Sequence, residues 1–511
     1  MSDAAITTMP FRRADLPDGI ALASLADLGH LQGDTDDCCI RGVADDTRLL
    51  QAGDAWLALP RSQAHAAEYA DAAAAQGAVA IIAVGAELAA SLDTTLPVLT
   101  LADMAQAGEL LRRILATTAN SCRLIGITGT DGKTSVTWMV REALSRLQSQ
   151  PVWSTGTLGW MQGVDQVTDI GNTTPSLLTM HNLLAAAEAA AVFALVSEVS
   201  SHGVAQQRIA GLKFDAALWT TIGHDHLQDH GGYAPYLQAK TRFVQQVADA
   251  GGLVVANADY DDIRRHAPAA SCWYGHGLYR DDVDLAWEQE LPGMLRLKVG
   301  AAEAVVESIP LGDFHAENIA GAALLLMQLL SLPLEALPPL LDGMTAPPGR
   351  LQEIEAGAGQ VYVDYAHTPE ALERCLQAAR KLTRHRLIVL FGCGGERDRE
   401  KRPQMGEIAT EYADVVWITS DNPRGEMPAV IASEIEQGMP QPYRAEVHLE
   451  LDREQAIAAA IAQLREGDLL VIAGKGHESY MEVCGRRTPW SDAAVATRYL
   501  RGNHPLQGMA A

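Results

Sequence analysis

With 511 residues, the chain is too long for one small module, and at roughly 150 residues per domain it accommodates about three. It is 48% hydrophobic and 20% charged, with 44 Gly and 23 Pro, a composition inside the globular range and outside the disordered and collagen-like ones. The 39 Lys and Arg against 64 Asp and Glu leave a formal charge of −25. That charge repels polyanions, so nucleic acid is not an expected partner, and a phosphorylated ligand needs a local pocket of backbone amides and placed cations.

The seven cysteines (Cys38, Cys39, Cys122, Cys272, Cys375, Cys393, Cys484) are odd in number, scattered and free of any CxxC pair. Neither a disulfide framework nor a zinc knuckle is suggested, and a reducing, cytoplasmic setting is expected. The N-terminal MSDAAITTMPFRRADLPDG has no apolar core, and the apolar stretch from Ala185 to Val199 is interrupted by Glu188 and Glu198. Neither export nor a membrane partner is therefore expected.

In chain order, an amphipathic helix is predicted over Ala66 to Gln76, leading into a β-rich run over Ala78 to Val84. Together they suggest a small α/β domain, residues 1–103. After a helix over Ala105 to Ala116, the run Arg123 to Thr128 reads as a buried strand that breaks into a Gly-containing loop and a helix, Ser135 to Leu147. Strand candidates at Phe193 to Glu198, Ala216 to Thr221 and Leu253 to Asn257 alternate with helical stretches, the rhythm of a mostly parallel sheet and of a second domain, 104–345. The segment Thr345-Ala346-Pro347-Pro348-Gly349-Arg350 is a linker, because its prolines and glycine stop a helix. Runs at Val361 to Asp364, Arg386 to Phe391, Asp414 to Thr419 and Asp468 to Ala473 predict a second doubly wound, Rossmann-like unit, 346–511. Such sheets bind ligands at the carboxyl ends of their strands, so a shared site would lie in the cleft between domains.

The stretch Gly126-Ile127-Thr128-Gly129-Thr130-Asp131-Gly132-Lys133-Thr134-Ser135 falls between the predicted strand and helix, the setting of a phosphate-cradling loop. Lys133 supplies charge to the outer phosphates and the Thr134 hydroxyl suits Mg²⁺, so ATP or GTP is the expected ligand. Five residues separate Gly126 from Gly132 where the Walker pattern has four; an ordinary Gly-rich turn is the alternative. His226 and His230, at i and i+4, also read as a transition-metal pair, without a third ligand at a familiar spacing.

The variant loop Gly129 to Ser135, GTDGKTS, resembles the GTNGKT loop of the Mur ligase family, with Asp131 at the Asn position. That resemblance implies ATP-dependent amide formation through an acyl phosphate, in a three-domain architecture: a small N-terminal α/β domain, a central P-loop domain and a C-terminal Rossmann-like domain. It assigns Gly129, Thr130, Asp131, Gly132, Lys133, Thr134 and Ser135 to ATP. Glu198-Val199-Ser200-Ser201-His202 is similar to the family's EVSSH and implies that Glu198 is a magnesium ligand, since a hard cation wants oxygen donors. Read alone, Lys240 is a solvated helix lysine; the resemblance makes it a carbamylated lysine that joins Thr134 and Glu198 at Mg²⁺. Thr220 to Gly231 resembles TNLTRDHLDYHG, keeping Asp225, His226 and His230 and differing at Thr221, Gly223 and His224. The implied catalytic set is Lys133, Glu198, His226 and Lys240.

Asn172-Thr173-Thr174-Pro175 resembles the family's substrate turn, and Ser200, Gln206, Arg208 and Thr47 fall where the family holds its UDP-linked substrate. Around Thr47 the match to DSRxVxxGD is partial, with Thr47 for Ser, and Arg61 stands in a segment that lacks the usual glycine. Arg350 in PPGR, Asp364 in DYAHTP and Asn318 in GDFHAEN are implied ATP contacts, the last beside His315 where the family has Asn. Asp421-Asn422-Pro423-Arg424, Arg397 in GCGGERDR (Glu396 for Asp) and the pair Gly474 and Glu478 in GKGHE resemble the acceptor pocket of the branch that adds meso-diaminopimelate. An arginine fork can hold the distal carboxylate that lysine lacks. The substrates implied are UDP-N-acetylmuramoyl-L-alanyl-D-glutamate, meso-diaminopimelate and ATP, with a monomeric enzyme of peptidoglycan precursor synthesis. A ligase of different acceptor, such as L-lysine, and a non-catalytic nucleotide-binding paralogue are the alternatives.

Overall fold

The computed structural model describes residues 11–35, 37–117, 121–162, 165–223, 231–310, 312–354, 359–442 and 444–502. The chain divides into two compact units. The first comprises Met1–Glu288, Leu297–Ala304 and Glu317–Leu341; the second comprises Gln289–Arg296, Val305–Ala316 and Asp342–Ala511.

The first unit contains a six-stranded sheet in the order Arg13–Ala21, Cys39–Ala44, Asp54–Ala58, Ala80–Val84, Val98–Leu101, His30–Gln32. Its inner strands AWLA and AIIAV are buried on both faces, which is why they read as unbroken apolar runs. The sheet begins well before the predicted run at Ala78, with Arg13–Ala21 antiparallel to Cys39–Ala44. A register shift between Asp15 and Ile20 breaks its alternation, so no period-two pattern marks that strand. Arg13 ties it to the sheet interior through the fully buried Asp54, at 2.7 Å.

The Arg123–Thr128 strand belongs to an eleven-stranded sheet, in which it lies between Ala194–Glu198 and Ala216–Trp219. From Val152–Gly156 across to Leu285–Leu291 the neighbours run parallel. The chain winds outward from Arg123–Thr128 to Val152–Gly156, returns to Ala194–Glu198, then crosses to Ala216–Trp219. The carboxyl end of Arg123–Thr128 is thus the topological switch point, where open α/β sheets bind ligands. Trp219, Leu195 and Phe243 centre the apolar core beneath it.

In the second unit the sheet order is Gln352–Ile354, Gln360–Val363, Leu469–Ile472, Leu387–Phe391, Val415–Ile418, Glu446–Leu449. The first pair is antiparallel and the rest parallel. Along Leu387–Phe391 the side chains alternate between two cores, Leu387, Val389 and Phe391 to one face and Ile388 and Leu390 to the other. Each strand and helix whose bounds were expected is present and starts and ends within two residues of them; others, such as Val152–Gly156 and Gly159–Gln162, were not expected. Among the described residues no single helix is long and apolar enough to cross a membrane.

Candidate active site

At the switch point, Gly129 to Gly132 link the buried strand to the helix Lys133–Leu147. Gly132 caps that helix in a left-handed conformation (φ 83°), and a Cβ there would lie 2.4 Å from Asn318 Oδ1. Glycine is therefore required twice over, by backbone angle and by the close carboxamide. The neighbouring segment latches the loop. Asp131 N donates to Thr221 Oγ1 (2.8 Å), Thr130 N to Thr221 O (3.0 Å), Thr220 Oγ1 to Asp131 O (2.5 Å) and Gly223 N to Thr130 Oγ1 (2.9 Å).

Two ammonium groups converge on this loop. Lys133 Nζ donates to Gly129 O (2.9 Å) and Thr130 O (2.7 Å), and Lys240 Nζ donates to Gly129 O at 2.6 Å. Lys240 is buried, not solvated, with its ammonium 4.7 Å from the centre of the Tyr236 ring one helical turn earlier. Tyr236 OH in turn meets Thr130 Oγ1 at 2.6 Å. In a chain of net charge −25, a cation such as Lys133 held on a Gly-rich loop is a local device that an anionic ligand requires.

Glu198 ends its strand fully buried, beside the loop. Its Oε2 accepts from Thr134 Oγ1 (3.0 Å) and Thr157 Oγ1 (3.1 Å), and its Oε1 accepts from Thr157 N at 2.8 Å. A hydroxyl and a carboxylate held together in a buried setting form a hard oxygen donor set that fits a divalent cation such as Mg²⁺. Asn318, also buried, stands against the loop. Ser135 is buried in the first helical turn.

The expected substrate turn forms a second cluster in the same unit. Thr174 Oγ1 donates to Glu198 O (3.0 Å) and pairs with Ser200 Oγ (3.1 Å), and Thr173 approaches Thr157 at 3.3 Å. Arg208 Nη1 donates to Thr174 O (2.7 Å), and its Nε and Nη2 donate to Gln206 Oε1. Burial, with a smaller contribution from nearby Arg61, pulls the Arg208 guanidinium below its ordinary pKa. Asn172 is exposed just before the turn. Thr47 opens a short turn, Thr47–Leu49, capped by Asp46. His226, with Asp225, His224 and His230, lies outside the described residues.

In the second unit, Asp364 Oδ2 accepts from Leu351 N (2.6 Å) and Oδ1 from Ala366 N (2.7 Å). Burial raises its carboxyl pKa even though Arg350 opposes the shift. Arg350 lies 4.9 Å over the Tyr365 ring. His315 is fully buried, and burial pushes its imidazole down to about 4.

The expected acceptor residues gather at the carboxyl edge of the second unit's sheet. Asn422 links three segments: its Nδ2 donates to Glu478 Oε2 (2.7 Å), its Oδ1 accepts from Glu482 N (2.9 Å), and its carbonyl accepts from Gly395 N (2.9 Å). Arg424 Nη1 donates to Gly395 O at 2.8 Å, and Arg424 exchanges backbone bonds with Glu482 and Cys484, beside Pro423. A Cβ on Gly394 would lie 2.9 Å from Arg424 Nη1 and 3.5 Å from Arg397 Cγ, so both arginines flank that glycine. A Cβ on Gly474 would lie 2.8 Å from Asp421 Oδ2. Beneath them the buried Arg453 forks onto the buried Asp492 (2.8 and 2.7 Å). It also donates to Ser420 O (3.1 Å) and Ala473 O (2.8 Å), the residues just before Asp421 and Gly474.

Several of these groups carry no motif signal. Thr157, which gives Glu198 two hydrogen bonds, sits in a hairpin turn. Tyr236 was detectable as the i−4 neighbour of Lys240 on one helix face. Lys475, buried with its Nζ at 2.8 Å from Glu478 Oε2 and 3.0 Å from Asn422 Oδ1, reads in sequence as part of a turn.

The chain matches the Mur ligase middle domain over residues 127–326 and the glutamate ligase domain of Mur ligases over residues 349–476. A UDP-N-acetylmuramoyl-L-alanyl-D-glutamate–2,6-diaminopimelate ligase of Ectopseudomonas mendocina is 38% identical over 479 residues, covering 90% of this chain and 95% of the relative. The ligase of the same name from Gloeobacter violaceus is 36% identical over 453 residues, 87% of this chain and 90% of the relative. A solved structure of such a ligase superposes with a TM-score of 0.68 at 29% identity, covering 95% of this chain and 99% of the other. A MurF ligase of Thermotoga maritima in complex with ADP, 17% identical, shares the fold at a TM-score of 0.56 over 90% of this chain and 96% of the other.

Proposed function

The chain belongs to the Mur ligase family, and from that premise we propose that it joins meso-diaminopimelate to the D-glutamyl γ-carboxylate of UDP-N-acetylmuramoyl-L-alanyl-D-glutamate at the expense of ATP. The observation that carries the reading is the Lys133 ammonium on the Gly129 and Thr130 carbonyls, next to the buried Thr134–Glu198 pair. In-line phosphoryl transfer to a carboxylate brings two anions together, so catalysis there is positioning and charge neutralisation. The loop amides and Lys133 would bind the outer phosphates, with Asn318, Arg350 and Asp364 as further ATP contacts.

Thr134, Glu198 and a carbamylated Lys240 would hold Mg²⁺, which would supply charge neutralisation at the transferring phosphoryl group. Carbamylation would convert the Lys240 ammonium into a carboxylate-like donor. Thr173, Thr174, Ser200, Gln206 and Arg208, with Asn172 and Thr47, would orient the nucleotide-sugar peptide. Arg397 and Arg424 would receive carboxylates of the incoming amino acid, and Glu478 an ammonium, among the Asp421–Arg424 and Gly474 loops. The functional partition would be 1–103, 104–345 and 346–511, in a cytoplasmic monomer.

The test is ADP release by the purified chain with ATP, a divalent ion, the UDP-linked dipeptide and a panel of amino acids. Release that requires both substrates and prefers meso-diaminopimelate supports the reading. Preference for lysine overturns the acceptor assignment, and release independent of the dipeptide overturns the ligase.

A further inference from the structure

Two of the acceptor loops are stitched together by a pair of oppositely charged residues, Arg402 and Glu426. Arg402 is fully buried on the helix Lys401–Tyr412. Its Nη1 donates to Glu426 Oε2 (2.9 Å) and Glu434 Oε2 (2.6 Å), and its Nη2 donates to Glu426 Oε1 (2.9 Å) and Gly394 O (3.1 Å). Glu426 Oε1 also accepts from Glu396 N at 2.5 Å. A single guanidinium thus anchors the Gly394–Arg397 loop and the segment after Arg424 to the helix Pro428–Glu436 that carries Glu434.

The loops it joins are backbone-tight and conformationally unfavourable. A Cβ on Gly395 would lie 1.9 Å from Pro423 O and 2.7 Å from Pro423 C. Glu396 (φ 53°) and Arg424 (φ 50°) both adopt the left-handed region, which residues with side chains keep only where their surroundings over-determine it. Arg397 follows one of these residues and Arg424 is the other. The Arg402 hydrogen bond and the Glu396 amide hold the Glu426 carboxyl down at about 2, so the brace is ionised throughout the neutral range.

We propose that Arg402 and Glu426 form a positioning pair that sets recognition of the acceptor amino acid by holding the Arg397 and Arg424 guanidinium groups in register. This rests on the reading of these loops as the acceptor site. Bidentate capture of a carboxylate needs its cations placed to a fraction of an ångström, and a lysine at position 402 cannot reproduce a fork that reaches two carboxylates and a carbonyl.

The experiment compares wild type with Glu426→Gln, whose side chain is part-exposed, and with Arg402→Lys. Expected is a KM at least ten-fold higher for whichever amino acid the wild type accepts, with kcat and the KM values for ATP and the UDP-linked dipeptide within two-fold. Amide hydrogen exchange at Gly395 to Arg397 should accelerate at least ten-fold. An unchanged amino-acid KM accompanied only by a lower melting temperature, or a parallel rise in all three KM values, overturns the positioning role. A wild type that prefers lysine overturns the functional reading instead, while the amino-acid KM and the exchange rates still decide the brace.

Discussion

Gly132 shows how little freedom the Gly129–Gly132 loop has at the level of one residue. Its left-handed φ and the Asn318 carboxamide 2.4 Å from any Cβ make Gly132→Ala costly in two ways. The expected loss is about 1–3 kcal/mol of stability, with ATP affinity down more than ten-fold, measured by denaturant unfolding and calorimetric titration. Thr157 makes a finer test. Thr157→Val removes the hydroxyl bond to Glu198 Oε2 and keeps the backbone one. A lost bond of about 1.5–3 kcal/mol to a charged group should raise the divalent ion needed for half-maximal ADP release at least about ten-fold. Asp131 and Thr221, both departures from the family pattern, are bonded to each other through the Asp131 amide. A short hydroxyl there performs a latch that sequence comparison alone would count as two losses.

Among the elements, the helix Leu177–Ala189 follows the Asn172–Pro175 turn and is pinned by His181, whose Nε2 meets Ala210 O at 2.8 Å. Burial pushes this imidazole down to about 4 from 6.5. The folded pKa lies below the unfolded one, so the unfolded chain binds more protons in between; the stability is complete above about 6.5 and is lost as pH falls toward 4. Between pH 6.5 and 4.5 the wild type should lose about 2 kcal/mol more unfolding free energy than His181→Gln, at 1.36 kcal/mol per pKa unit. The Arg453–Asp492 pair plays the matching part in the second unit, fastening the strand ends before Asp421 and Gly474. Asp492→Ala would strand a buried guanidinium at a cost of about 3–5 kcal/mol, read by denaturant titration.

For the whole molecule, the two compact units each carry their own apolar core. Calorimetry should resolve two transitions, with Asp492→Ala lowering one and Leu195→Ala, in the first unit's core, lowering the other; a single transition moved by both variants would refute this. Amino-acid order alone determined the central strands, Arg123–Thr128 and Leu387–Phe391 among them, because sheets buried on both faces demand unbroken apolar runs between helical stretches. It also determined the loop, since a strand, glycines, Lys133 and Thr134 in succession leave few other uses. The irregular strand Arg13–Ala21, the Thr157 and Tyr236 contacts, and the burial of Lys240 and Lys475 were decided only by the tertiary structure. These depend on which distant backbone ends at the same sheet edge, through hydrogen bonds between Thr157 and Glu198, Thr130 and Tyr236, or Asn422 and Lys475. Periodicity records which way a side chain faces, and carries no information about what it meets there.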